Sequence, residues 1–305
     1  MRRTQYLLGT LVTVTAVAPD RATAAQAVTA ALDEIARIEA LLTTYHPESE
    51  ISRLNRSEGA WISVSPETLD VLAEAVRFAE MTRGAFDPTV GPLIDLWREA
   101  ERRGRAPTDE ERVAASKRVG YRRIQVDRHG SRARLEIGTR VDLGAIGKGY
   151  AVDRAAEAMM RAGASGGVVE AGGDLLLVGD LPDDLRDVSI RDPRPPPRVH
   201  RIGSFSGGTA VATSGGYERS FQIGDQRYGH VIDPATGLPT DSLLSATVIA
   251  PSATMADALA TAILVRGQDE AQRLANEQGI EYTIFHPDGW IEDYYDGKTE
   301  RTDGR

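Results

Sequence analysis

The chain has 305 residues, enough for one large domain or two small ones, and 41% of them are hydrophobic, as in a folded protein with a core. Its net charge of −9 argues against a nucleic-acid binder, which needs a basic face for phosphate contacts. The absence of cysteine excludes disulfides, thiolate metal sites, catalytic thiols and lipidated cysteines. Because no run of about 18 apolar residues occurs, we expect no transmembrane helix and no stable membrane association, with the cytoplasm as the default location.

The N-terminal half of the chain predicts a strand, three helices and a hairpin. The opening stretch MRRTQYLLGTLVTVTAVAPD resembles a secretion signal, but threonines interrupt its apolar residues in alternation, which favours a strand. Residues 21–45 carry apolar side chains at helical spacing and predict a long amphipathic helix. Two more helices are predicted after Ser65, a candidate N-cap, and from Thr108, where Glu111 is placed for a capping box. Residues 121–138 predict a β-hairpin.

The C-terminal half mixes further strands and helices. A helix is predicted from near Lys148, followed by two short strands broken by glycines, and RDPRPPPR predicts an extended surface loop. The remaining predicted elements are strands near 209–213, 219–224, 228–232 and 243–250, helices near 254–265 and 269–278, and strands near 280–285 and 290–294. Because no regular βαβ alternation is present, the expected class is α+β with mixed, largely antiparallel sheets and packed helices. We expect one domain over 1–295 and a loose polar tail over 296–305.

The stretch VDLGAIGKGYAVD, residues 141–153, is rich in glycine and contains one lysine. It lacks the spacing of a phosphate-binding P-loop. Asp142 and Lys148 nevertheless flank glycines at the start of a predicted helix, where free N–H groups and close backbone approach suit an anion. The same residues are also typical of a tight strand-to-helix turn with a surface lysine.

The stretch YGHVIDPATGLP places His230 in a run otherwise suited to a strand, ahead of a turn. Histidine titrates near neutral pH, so it is the most common general base. A structural histidine that hydrogen-bonds a neighbouring strand is the alternative.

The helical stretch TMADALATAILV places Asp257 and Thr261 four residues apart, on one face of a helix that is otherwise almost entirely apolar. A buried carboxylate needs a partner, and a hard cation such as Mg²⁺ is a natural one. In the alternative interpretation, Asp257 is an ordinary residue near a helix N-terminus and Thr261 bonds back to its own helix.

The stretch TRGAFDPTVGPLIDLW combines two aromatic residues, Phe86 and Trp97, with Asp87. Aromatic rings and a carboxylate could bind a planar heterocycle. In isolation, however, both rings are more typical of a hydrophobic core.

Five motifs occur here in the order and approximate spacing of the FAD:protein FMN transferase (ApbE) family, between about Tyr6 and Ile284: YHPESEISRLN, AFDPTVGPLIDLW, VDLGAIGKGYAVD, YGHVIDPATGLP and MADALATAILVRG. The chain therefore resembles that family. The resemblance implies an ApbE-like, T-fold-related architecture and an Mg²⁺-dependent enzyme. Such an enzyme cleaves the pyrophosphate of FAD and attaches FMN to a Thr or Ser hydroxyl of an acceptor protein that carries a flavinylation motif, and AMP leaves.

The resemblance also implies roles for individual residues. It implies flavin-nucleotide contacts for Leu8, Tyr45, Ala85, Phe86, Asp87, Asp142, Lys148, His230 and Val231, and it implies Mg²⁺ ligands in the Ala145 carbonyl, the Asp257 carboxylate and the Thr261 hydroxyl. His230 is the candidate base for the acceptor hydroxyl, with a purely positional role as the alternative. Leu8 stands in a Leu-Gly-Thr context where members of the family often carry Met-Gly-Thr.

Two other functions share the same residues. An FAD pyrophosphatase would use water in place of the acceptor hydroxyl and release FMN and AMP. A flavin-binding module would hold FAD without cleaving it. The tail segment DGKTERT, ending at Thr302, loosely resembles the acceptor motif of the family, for which chance is the simpler explanation.

Overall fold

A computed structural model of the protein describes residues 1–196, 198–216 and 220–303. The helices are α1 (Arg21–Leu42), α2 (Glu50–Asn55), α3 (Pro66–Met81), α4 (Gly91–Arg103), α5 (Asp109–Ser116), α6 (Gly147–Arg161), α7 (Ala253–Arg266) and α8 (Gln268–Gln278). The strands are β1 (Arg2–Leu7), β2 (Thr10–Val17), β3 (Ile62–Ser63), β4 (Ile124–Asp127), β5 (Arg132–Leu135), β6 (Gly166–Ala171), β7 (Asp174–Gly179), β8 (Asp187–Asp192), β9 (Arg198–Ser204), β10 (Thr209–Gly215), β11 (Ser220–Ile223), β12 (Gln226–Gly229), β13 (Ser245–Ala250), β14 (Glu281–Phe285), β15 (Trp290–Tyr295) and β16 (Lys298–Asp303). No helix within these described ranges is both long and apolar enough to span a membrane.

The largest sheet has nine strands in the order β1-β2-β6-β7-β10-β13-β14-β15-β16, and each pair of neighbours is antiparallel. Successive side chains of a strand face opposite sides of a sheet. Leu176 and Ile284 accordingly face the main core, which the helices cover, whereas Leu177 and Phe285 face a second core shared with β8 and β9. The prediction of an α+β fold with largely antiparallel sheets is confirmed.

The helices and the hairpin that carry clear local signals form as predicted. Ser65 caps α3 through its side chain, and Thr108 and Glu111 form the capping box at the start of α5. The predicted hairpin over 121–138 is formed by β4 and β5. Here the local preferences of the sequence and the tertiary fold agree.

Several segments differ from the sequence prediction, and among them α2, β3, β8 and β9 were not predicted. The single strand predicted at the N-terminus is instead a hairpin of β1 and β2. Leu8-Gly9 form its turn with φ of 55° and 71°, and a tight hairpin turn of this kind needs positive φ at both residues. Helix α4 was not predicted, although Pro92 in its first turn and Gly104 at its end are typical helix boundaries. The expectation of a loose tail is wrong for β16, which pairs with β15 across a turn at Asp296-Gly297.

Helix α7 is buried on all sides. Every residue in it is buried except Met255 and Arg266, and it contacts β10, β13 and α6. A helix that is apolar on every face is typical of a protein interior. Polar side chains on this helix are therefore confined to a dry environment and need partners within the protein.

The starts of α6 and α7 are held together by a reciprocal exchange of carboxylates. Asp257 of α7 accepts the N–H of Gly149 at 3.1 Å, in the first turn of α6. Asp153 of α6 accepts the N–H groups of Ala253 and Thr254 at 2.8 and 2.9 Å, and also the hydroxyl of Thr254. A helix start leaves N–H groups without partners in its own helix, so each helix supplies an acceptor for the other. A Cβ at Gly149 would lie 2.2 Å from the carbonyl oxygen of Ala253, so the two helices touch at this glycine.

We expect Asp153→Ala to lower the free energy of unfolding by about 2–3 kcal/mol, because three donors in a partly buried contact lose their acceptor. The matched control is Asp20→Ala at the start of α1. Asp20 accepts the same three kinds of donor, from Ala22 N–H, Thr23 N–H and the Thr23 hydroxyl, but it is exposed. Water can replace the hydrogen bonds of Asp20, so Asp20→Ala should lower the free energy of unfolding clearly less than Asp153→Ala. Urea denaturation measures both. Equal decreases in the free energy of unfolding at the two positions would contradict a stabilising contact between α6 and α7.

Candidate functional site

The glycine-rich loop of residues 141–146 is held by two of the other motifs. The side chain of Asn55 binds both main-chain groups of Val141, accepting its N–H at 2.7 Å and donating to its carbonyl at 2.8 Å. The N–H of Asp142 donates to the carbonyl of Pro88 at 2.8 Å. The segments around Asn55 and Pro88 therefore fix the path of the chain into α6.

The loop itself is a compact turn into α6. The carboxylate of Asp142 accepts the N–H of Gly144 at 2.8 Å, and the carbonyl of Leu143 accepts the N–H groups of Ile146 and Gly147 at 3.1 and 2.7 Å. Ala145 lies half-buried between these contacts. The predicted helix start near Lys148 is confirmed, since α6 begins at Gly147.

Lys148 lies between two buried carboxylates. Its ammonium group donates to Asp174 at the start of β7 in a short contact, and to the two oxygens of Asp257 at 3.3 and 3.4 Å. The side chains of Asp174 and Asp257 are 1% and 4% exposed, whereas that of Lys148 is 27% exposed. The interpretation of Lys148 as a plain surface lysine is therefore wrong, and the buried carboxylate of Asp257 has an internal cation as its partner.

The charges in this cluster do not cancel. Burial, together with the charge of Asp257, raises the pKa of Asp174 to about 7 against the opposing effect of Lys148. Burial also disfavours the charged form of Lys148, but the two carboxylates outweigh it and raise the lysine pKa above its ordinary value. With both carboxylates ionised, the cluster carries one net negative charge in a buried environment, and either protonation of Asp174 or a bound cation would compensate it.

Thr261 follows Asp257 by one turn of α7, and its hydroxyl lies 2.9 Å from that of Ser214 in β10. The hydroxyl of Thr261 therefore has a partner outside its own helix, which the back-bonding alternative did not include. The spacing in the sequence correctly predicted that Asp257 and Thr261 lie on one face of a helix. Both side chains are buried.

His230 lies immediately after β12, in a bend, and is half-buried. The strand predicted over 228–232 ends at Gly229, because the next residues turn into a loop closed by a bridge between Ile232 and Pro239. The carbonyl of Val231 accepts the N–H of Thr240 at 2.9 Å, and the hydroxyl of Thr240 donates to the carbonyl of Leu264 at 3.0 Å. The loop that carries His230 is thus attached to α7.

The stretch of residues 85–87 is buried. Phe86 is 2% exposed in the main core, and the carboxylate of Asp87 accepts the N–H and hydroxyl of Thr89 and the N–H of Tyr121. Burial raises the pKa of Asp87, and these hydrogen bonds partly offset the effect. Trp97 is also a core residue, and its indole N–H donates to the carbonyl of Gly237 at 2.9 Å. The core interpretation of both aromatic rings is confirmed.

Leu8 and Tyr45 lie on turns outside the regular elements. The turn containing Leu8 lies at the same end of the sheet as Asp174, since a Cβ at Gly172 would meet the hydroxyl of Thr10 at 2.8 Å. Tyr45, in the loop after α1, is 78% exposed. The side chain of Tyr45 is therefore free to contact a ligand from solution.

Three residues of this region were not predicted as site residues. They are Asn55, Asp174 and Ser214. Asn55 lies within the motif segment SEISRLN, and Asp174 directly follows the glycine pair of EAGGDLLL. An aspartate directly after Gly-Gly is ordinarily a turn residue, so its burial beneath Lys148 carries no local signal. Ser214 lies in ATSGG, where nothing in the local pattern separates it from an ordinary strand residue.

Comparisons with known proteins identify the family of the chain. The model of the ApbE family matches residues 8–284. The FAD:protein FMN transferase of Vibrio cholerae is 35% identical, covering 78% of this chain and 73% of that protein, and the one of Haemophilus influenzae is 33% identical, covering 82% and 76%. The crystal structure of the ApbE protein from Thermotoga maritima superposes with a TM-score of 0.85 at 34% identity, covering 96% of both chains. The flavin transferase ApbE from Vibrio cholerae superposes with a TM-score of 0.78 at 29% identity, covering 99% of this chain and 96% of that one. The chain therefore belongs to the ApbE family, as its five motifs predicted.

Proposed function

We propose that this chain transfers FMN from FAD to a Thr or Ser hydroxyl of an acceptor protein, with Mg²⁺ as cofactor and AMP as leaving group. Membership of the ApbE family makes the chain an enzyme, and its relatives are named FAD:protein FMN transferase. The observation that carries the proposal is the buried pair of Asp257 and Thr261 on α7, in which Asp257 contacts Lys148 and the N–H of Gly149 in the first turn of α6.

The residues present suit Mg²⁺. Asp257 offers one carboxylate and Thr261 one hydroxyl, and both side chains are buried. Mg²⁺ is the divalent cation that uses one or two carboxylates and keeps water and phosphate oxygens as its other ligands. We propose the Asp257 carboxylate, the Thr261 hydroxyl and the Ala145 carbonyl as its hard oxygen ligands, next to the net negative charge of the cluster. When bound, the cation would neutralise charge on the diphosphate.

The flavin nucleotide would contact residues around the same loop. Asp142 and Lys148 flank the loop, and the start of α6 offers a positive helix end to the diphosphate. Because the side chains of Phe86 and Asp87 are occupied in the core, contacts from residues 85–87 would come from the main chain. Tyr45 is exposed and available for ring stacking, and Leu8, His230 and Val231 would line the flavin pocket.

In the transfer step, the acceptor hydroxyl oxygen attacks the phosphorus on the FMN side of the pyrophosphate. A new P–O bond forms, the bond to the AMP phosphate breaks, and AMP leaves with the displaced oxygen. His230 takes the hydroxyl proton. The other residues of the site bind and orient FAD, so most of the rate enhancement comes from positioning and electrostatic stabilisation.

We expect His230→Asn to lower the transfer rate by about 10²- to 10⁴-fold, the usual contribution of a general base, with little change in FAD affinity. The measurement is the rate of acceptor labelling across pH, with FAD affinity from flavin fluorescence. A base role requires that the acidic limb of the wild-type pH profile disappears in the variant. A variant that keeps this limb while losing rate would show that His230 only positions the reactants.

A single assay separates the proposed function from its two alternatives. The protein is incubated with FAD and Mg²⁺, with and without an acceptor protein that carries a flavinylation motif, and AMP, free FMN and acceptor mass are measured. Transfer gives AMP together with an FMN adduct on the acceptor. A pyrophosphatase gives free FMN and AMP in both samples, and a flavin-binding module gives no AMP.

A further inference from the structure

Asp174 has no role in the proposed transfer, yet it makes the shortest contact with Lys148. It is the first residue of β7 and follows a turn at Gly172-Gly173, whose φ values are 59° and 97°. The positive φ values suit glycine and allow the tight turn that leads directly into the buried aspartate. Lys148 approaches Asp257 less closely, at 3.3 and 3.4 Å. The lysine is therefore shared unequally between two carboxylates.

Lys148 and a divalent cation cannot share the carboxylate of Asp257 without strong repulsion. Two like charges at one carboxylate in a partly buried site repel each other far more strongly than they would in water. The lysine stem is flexible, so its ammonium group can shift toward Asp174 alone. The Oδ1 atom of Asp174 is buried and has no hydrogen-bond partner among the described residues, so this carboxylate has capacity for a further contact.

We propose that Lys148 is an internal counter-ion of Asp257 in the metal-free protein, and that Asp174 is the positioning residue that retains the ammonium group when a divalent cation binds Asp257. The inference rests on the proposed function, because it assumes that Asp257 binds a metal. Before a cation binds, Lys148 thereby partly neutralises the charge of the two buried carboxylates. It also keeps a positive charge at the start of α6 for the diphosphate.

The test measures Mn²⁺ binding to the flavin-free protein, from the electron paramagnetic resonance signal of free Mn²⁺, which prefers the same oxygen ligands as Mg²⁺. We expect Lys148→Met to bind Mn²⁺ at least about tenfold more tightly than the wild type, because the competing charge is gone. We expect Asp174→Asn to bind it at least about tenfold more weakly, because the lysine then has only Asp257. The double variant restores the net charge of the cluster and should return to near the wild-type affinity.

The matched control is Glu292→Gln, which removes a buried carboxylate from β15, four strands away from β7 in the same sheet. It should leave Mn²⁺ affinity unchanged. Lys148→Gln serves if Lys148→Met does not fold, as judged by circular dichroism. A purely structural lysine would give equal or weaker Mn²⁺ binding in its variants, and that result overturns the inference. The proposed function fails separately, if the wild type releases no AMP from FAD.

Discussion

Replacing Asp257 with Asn is expected to reduce FMN transfer by about 10⁴-fold, the loss that corresponds to several kcal/mol of transition-state stabilisation by a bound metal. Asn keeps the size of Asp and one oxygen that can accept the N–H of Gly149. The contact between α6 and α7 should therefore survive, while the charged ligand is lost. The measurement is acceptor labelling and AMP release at saturating FAD and Mg²⁺.

The controls for this variant separate loss of chemistry from loss of folding. Glu292→Gln removes another buried carboxylate from the protein and should transfer FMN at the wild-type rate. FAD binding by Asp257→Asn, measured without metal, should stay within a few-fold of the wild type. If the variant still releases AMP at more than a tenth of the wild-type rate, the proposed metal site is wrong.

Replacing Gly149 with Ala is expected to lower the free energy of unfolding by about 3 kcal/mol, at the upper end of the usual cost of overpacking. The new Cβ would lie 2.2 Å from the carbonyl oxygen of Ala253 and 2.8 Å from the N–H nitrogen of Thr254, and both are backbone atoms that cannot rotate away. The starts of α6 and α7 would separate, and with them Lys148 and Asp257. Urea denaturation measures the stability, and AMP release should fall in parallel.

Gly147→Ala is the matched control, in the same turn of α6. A Cβ there would lie 3.7 Å from the Cβ of Leu143, an ordinary contact. Since Ala favours a helix over Gly, this variant should be as stable as the wild type or more stable by up to about 1 kcal/mol. A similar loss in both variants would mean that the close approach at Gly149 is not the cause of the loss.

The parts of the fold that the sequence predicted are those in which local preference and tertiary packing agree. Helix α5 begins with a capping box and α3 with a serine cap, and both signals are local. The hairpin turn at Asp296-Gly297 carries an equally local signal. The strand β16 that follows it was missed because it is polar, and an edge strand needs few apolar residues. Helix α4 was missed because it is rich in charged residues and its N-cap residue, Val90, provides no side-chain hydrogen bond.

The candidate site could be predicted from the sequence only where its residues lie within one motif. Asp257 and Thr261 are four residues apart on one helix, so their spacing was sufficient to predict that they lie on the same face. Lys148 and Asp174 are 26 residues apart, and their contact arises only because α6 packs across the end of β7. The partner of Asp257 was predicted to be a metal, whereas the charged partner that the structure shows is a lysine of the same protein. Tertiary contacts of this kind leave no periodic pattern in the sequence.

We propose that Asp257, Thr261 and the Ala145 carbonyl would hold a divalent cation that neutralises charge on the diphosphate of FAD. A crystal of the wild type grown with FAD and Mn²⁺, with anomalous scattering recorded for manganese, tests it most directly. The account predicts an anomalous peak in contact with these three oxygen ligands and with the diphosphate. A flavin bound with no metal at Asp257, or a peak at another position, would contradict it.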